Sequence, residues 1–181
     1  MRTKTTLVKA VKFVSNCKFI FSFKKNIFQK NIFPILLCFF TASSFAQTKN
    51  IDSYLTSGQD SDIAHLNHLL YDLQSAVYYY SDEGSAKVYG DNPTALYTDI
   101  SSIASIGSAS IATNDIEIAT IKIENTSDLY KSINLTSFSG FAKLKYIFII
   151  SEVQTSETVI QNLIKNDSAK YVIIYKISIG G

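Results

Sequence analysis

His65 and His68 are the only histidines in the chain, and Asp72 follows the second by four residues. On a helix turning 100° per residue, these three side chains fall within about 60° of one another. Two imidazoles and a carboxylate on one flank are a donor set for a divalent, zinc-like ion. The same spacing suits a plain pair in which Asp72 faces His68 across one turn. No H-E-x-x-H pattern supplies a catalytic glutamate beside them. His65, His68 and Asp72 are therefore the metal-ligating candidates, a divalent metal is the one cofactor considered, and a small hydrolase or metal-binding protein centred on them is the enzymatic alternative. The second constellation is Tyr78-Tyr79-Tyr80. Three consecutive rings on a helix spread over about 200°, so at least one faces solvent. Exposed tyrosine is favoured in binding surfaces, including sugar-stacking platforms, which makes Tyr78, Tyr79 and Tyr80 the candidate surface-binding residues. No G-x-S-x-G places a serine on a nucleophile elbow. Phosphate-cradling patterns such as G-x-x-x-x-G-K and G-x-G-x-x-G are missing as well. No catalytic residue is assigned.

The elements that would carry these residues follow from periodicity. Asp60-Ser61-Asp62 offers a cap and acidic residues for a helix N-terminus. From there Ile63, Leu66, Leu69, Leu70, Leu73 and Val77 recur at spacings of three and four, which predicts one apolar stripe on a helix running to about Tyr80 and stopping by Gly84. Ala86 to Tyr89 reads as a short strand. Pro93 fits the first position of a second helix, with Leu96, Ile100 and Ile103 on one face. Ser105 to Asn114 reads as loop. Ile116–Glu124, Tyr146–Ile150 and Tyr171–Tyr175 are β-branched or aromatic runs apolar on both faces, the pattern of buried parallel strands. Between the last two, Val159, Ile160, Leu163 and Ile164 have helical spacing, completing a βαβ unit. The expected class is α/β. An N-terminal, mostly helical part (47–114) is followed by a βαβαβ part (115–181) whose units form a parallel sheet of three or four strands.

The strand units also align with one another. Ile118, Leu144 and Ala169 lie 26 and 25 residues apart, as do the sets Ile121, Ile147, Val172 and Ile123, Ile149, Ile174. Leu135 matches Ile160, and Phe138 matches Leu163, each 25 residues on. Over about residues 118–178 the apolar-x-x-apolar-x-apolar core resembles a leucine-rich repeat. The family's asparagine position falls on Thr126, Glu152 and Ile177 here. The resemblance implies a short solenoid with a sheet face available to a protein partner.

Composition divides the chain at Gln47. Lys24, Lys25 and Lys30 precede the apolar run Ile32–Phe40, and Ser44-Phe45-Ala46 follows it. This is the build of a signal peptide cleaved between Ala46 and Gln47, with a long basic n-region. The apolar run is short for a ~30 Å hydrocarbon core, so no stable membrane span is expected after cleavage. Eight of the 17 basic residues and both cysteines lie in 1–46, while all 15 acidic residues lie beyond it. Residues 47–181 then carry nine basic and 15 acidic residues, a net charge of −6. That balance argues against nucleic acid and against anionic lipid. A cysteine-free chain of this length must be held by a packed core rather than disulfides. The expectation is a single exported α/β domain over 47–181, periplasmic or extracellular. It is expected to act as a non-enzymatic binding or interaction module toward a protein or cell-envelope partner. N-terminal sequencing of the exported protein is expected to start at Gln47; recovery of residues 1–46 on the exported chain would make that stretch an anchor.

Overall fold

The computed structural model describes residues 48–57 and 60–179. The leader expected at 1–46 lies outside them. The architecture is mixed α/β around a mostly parallel seven-stranded sheet. In chain order the elements are β1 (Lys49–Asn50), α1 (Ile51–Ser57), α2 (Asp60–Tyr71), β2 (Ala76–Tyr79), β3 (Lys87–Tyr89), β4 (Ala95–Asp99), α3 (Ile103–Ile106), β5 (Ile118–Ile123), β6 (Ile133–Asn134), β7 (Tyr146–Ser151), α4 (Glu157–Leu163), β8 (Ile164–Lys165) and β9 (Val172–Ile177). Short 3-10 turns cover Ser81–Glu83, Ile100–Ser102, Thr126–Tyr130 and Leu135–Phe138. The sheet order is β1-β9-β7-β5-β4-β2-β3, and β6 and β8 form a separate two-stranded parallel ladder. Among the described residues only the β2–β3 pairing is antiparallel. Among the described residues no helix is long and apolar enough to cross a membrane.

The core strands are buried on both faces because both faces are covered. On one side, Leu66 and Leu69 of α2 pack with Ala76, Ala95, Ile118 and Tyr146, while α1 lies against β9. On the other side, Val77, Leu96, Ile121, Ile147 and Ile149 pack under the connections, which contribute Ile103, Phe138, Phe141 and Leu163. The connections stay tight through local caps. Ser156 accepts from the Val159 N–H at 3.4 Å and starts α4. Asn134 accepts from the Thr136 N–H at 3.2 Å and starts the turn that buries Leu135 and Phe138.

Four strands (β3, β5, β7 and β9) and α4 form within a few residues of where the sequence places them, but the rest of the N-terminal half differs. The helix expected to reach Tyr80 ends at Tyr71, and Ala76–Tyr79 is a strand. Leu73, which matches the helical stripe by spacing, is fully exposed, whereas Val77 is fully buried in the sheet. Val77 to Tyr80 is β-branched and aromatic, and pairing on both sides outweighs a helical period that continues by coincidence. Likewise Pro93 precedes strand β4, not a second helix. Leu96 packs in the sheet, and Ile100 and Ile103 lie beyond it in the following turn and α3. The stretch expected to be mostly helical thus supplies four strands, and the sheet has seven rather than three or four.

The register between units also departs from the sequence alignment. Ile121 pairs with Ile149, not Ile147, and Ile147 pairs with Ala119 and Ile173, not Val172. A two-residue shift keeps every side chain on its face, and strands apolar on both faces tolerate a one-residue shift. Hydrophobicity alone therefore does not select the register.

Two stability predictions follow from this packing. Val77→Ala is expected to cost about 2–3 kcal/mol in urea unfolding, and Leu73→Ala less than about 0.5 kcal/mol; equal losses would restore the longer helix. Asp128 is the second case. It is buried in the turn after β5, where its Oδ2 accepts the Glu124 and Asn125 N–H groups at 3.1 and 3.0 Å and its Oδ1 accepts from Lys131 at 2.7 Å. Burial pushes its pKa up, but Lys131 and the two N–H donors outweigh this and hold it below the ordinary value. A depressed folded-state pKa stabilises the fold above the unfolded value, near pH 4, and loses that contribution as pH falls through the folded value. Asp128→Ala is expected to lower stability by about 1–3 kcal/mol at neutral pH. The gap to the parent protein should narrow steadily from pH 5 to pH 2 in denaturant titrations; a pH-independent gap would contradict this.

Candidate binding groove

The tyrosine run is placed by strand alternation, not by a helix end. Tyr79 turns to the covered face with Val77; it is buried and donates its hydroxyl to Ser105 Oγ at 3.0 Å. Tyr78 and Tyr80 turn to the other face, where both are half-buried. That face is graded. Ala76 and Ala95 begin their strands, and their small side chains let α2 approach the sheet. Two residues further on, beyond α2, the same row carries Tyr78 and Tyr97. These are register partners on parallel strands, with ring centroids 4.8 Å apart and planes 15° from parallel.

Strand β3 closes one side. Its antiparallel register sets Tyr89 opposite Ala76 and Lys87 opposite Tyr78. The Tyr89 and Tyr78 rings meet edge to face, with centroids 5.5 Å apart and planes at 88°. Gly90, at φ 80°, turns the chain out of β3. A Cβ there would lie 2.9 Å from Ser75 Cβ, so glycine is required both for its conformation and for space. Leu73, Gln74, Ala76, Tyr78, Tyr80, Glu83, Lys87 and Tyr89 enclose an open groove of about 500 Å³, a volume suited to a small organic ligand. Gln74 is a fixed wall: its amide donates to the His68 carbonyl at 3.0 Å and accepts from Thr94 at 2.9 Å. Glu83 and Lys87 pair at 2.9 Å on the rim. Burial raises the Tyr97 pKa, with Tyr78 adding to it, and burial likewise raises that of Tyr80. Both hydroxyls therefore stay protonated, able to donate and accept, across the physiological range. The arrangement supplies rigid aromatic faces and a polar rim, which is the chemistry of non-covalent recognition.

The histidine flank lies elsewhere on α2. His65 Nε2 meets Glu117 Oε2 at 2.7 Å, and His68 Nδ1 meets Asp72 Oδ2 at 2.6 Å. The two imidazoles are thus engaged by two different carboxylates, one of them on the lead-in to β5, 52 residues away in the chain. Among the described residues, no group of three or more His, Cys, Asp or Glu side chains could hold a metal ion.

Sequence reasoning singled out Tyr78, Tyr79 and Tyr80 but missed Tyr89, Tyr97, Glu83 and Lys87. A signal was present: Ala76-Val77-Tyr78 and Ala95-Leu96-Tyr97 repeat the same small–apolar–aromatic triplet, as two adjacent strands passing under one helix require. No protein-family model, curated protein or solved structure matches this chain.

Proposed function

We propose that this chain is an exported, non-enzymatic binding module whose recognition surface is the tyrosine groove at the β2–β3 edge of the sheet. The observation that carries the reading is the Tyr78–Tyr97 stack, held by strand register, whose Tyr78 ring lines the groove. Such a pre-ordered aromatic surface binds with little loss of side-chain entropy. The scaffold is in turn proposed to be a short stack similar to leucine-rich repeats. Support comes from β4, β5, β7 and β9, which lie side by side in chain order and all parallel. The small β6–β8 ladder pairs their connections in the same sense. Export rests on the leader at Lys24–Gln47, and the proposed partners are components of the cell envelope or its surroundings.

The test is NMR on the exported protein with 13C-labelled tyrosine rings, titrated with neutral oligosaccharides, extended peptides and nucleosides. At least one class is expected to shift the ring signals of Tyr78, Tyr80, Tyr89 and Tyr97, leaving Tyr171 and Tyr175 in the opposite core unmoved. A panel that moves none of the four, or moves all tyrosines alike, would overturn the assignment.

A further inference from the structure

Three properties of the groove narrow its ligand chemistry. The first is charge. Glu83 and Lys87 are the charged side chains on its wall, and at 2.9 Å they cancel one another. A charged ligand therefore gains little net Coulomb attraction there, and binding must come from contact and hydrogen bonding.

The second is the alternation of flat apolar surface with paired donors and acceptors. Tyr78 packs against both Tyr97 and Tyr89, and Tyr89 itself is 58% exposed. Beside these rings stand a carboxylate that only accepts, an ammonium that only donates, and the Tyr80 and Tyr89 hydroxyls that do both. A pyranose ring matches this pattern, with a C–H face to lay on an aromatic ring and hydroxyls that each donate and accept. A vicinal diol can donate to Glu83 while accepting from Lys87.

The third is the edge. An extended peptide would enter by adding a strand to β3. That strand has three residues, carries Lys87, and ends at the Gly90 turn. Short, lysine-bearing edges resist strand addition.

We infer that the groove binds a neutral saccharide, with one pyranose face on the exposed Tyr89 ring, which Tyr78 braces, and hydroxyls on the Glu83–Lys87 pair. This rests on the binding-module reading and specifies its ligand class. The test is affinity electrophoresis of the exported protein in native gels containing laminarin, hydroxyethyl cellulose or yeast mannan. Retardation is expected in at least one gel. Tyr89→Ala, on an exposed edge strand, is expected to weaken it about tenfold, and Glu83→Gln severalfold. Tyr130→Ala, at an 88% exposed ring on a different connection, should leave it unchanged. Because the groove carries no net charge, 0.5 M NaCl should also leave it unchanged. No retardation in any of the three gels, retardation indifferent to Tyr89→Ala, or retardation abolished by salt would each overturn the saccharide assignment. If the gels fail while an extended peptide shifts the groove tyrosines, the binding surface stands and the ligand class falls; if both fail, both fall.

Discussion

A parallel sheet must be covered on both faces, and among the described residues the cover on one face is shorter than the strands. The connections cover one side through Phe138, Phe141 and Leu163. Among the described residues the opposite side receives α1 and α2, which sit over the strand beginnings. The side chains follow that limit. Alanine occupies β2 and β4 where the helix approaches, and tyrosine occupies the next position outward. Tyrosine suits that boundary because its ring can pack while its hydroxyl stays wet. The groove is the place where the cover ends and the sheet edge turns back through β3.

Holding α2 in place is therefore a condition for the groove. Packing of Leu66 and Leu69 supplies most of the adhesion. Two polar contacts fix position: His65 to Glu117 at 2.7 Å, and Asp62 to Lys145 at 2.9 Å. Both reach the residues immediately before β5 and β7, so they tie the helix to the starts of the two central strands. The Asp62 hydrogen bond raises the Lys145 pKa, which keeps that end of the tie charged. As partly exposed pairs they add little to stability; their contribution is orientation. His68, Asp72 and Gln74 continue the same chain segment into the groove wall, because the Gln74 amide binds the His68 carbonyl. The histidine flank and the wall of the tyrosine groove are consecutive parts of one segment.

The C-terminal half was legible because its signals agree. Strands β5, β7 and β9 are long β-branched runs, and Ser156 with Glu157 announces α4. The N-terminal half was not, because its signals conflict. Leu66, Leu69, Leu73 and Val77 keep helical spacing across a break at Asp72–Ser75 that has neither glycine nor proline to mark it. Ala95–Asp99 is equally ambiguous: five residues after Pro93 serve a helix start or a strand, and only pairing with β2 and β5 decides. The groove was legible to the extent of two residues, Tyr78 and Tyr80. Tyr97 and Tyr89 enter through register, and register is invisible where both strand faces are apolar.

From the sequence alone came the α/β class and the parallel sense of the central strands, together with the division of charge and cysteine at Gln47. Each is a property of composition or of short-range period, which needs no partner to be read. Tertiary structure alone decided that Tyr78 belongs to a strand, that it stacks on Tyr97, and that His65 and His68 answer to Glu117 and Asp72 separately. Those outcomes depend on which strands become neighbours and on how far one helix reaches across them. Both are settled by the collective burial of two faces rather than by any local preference.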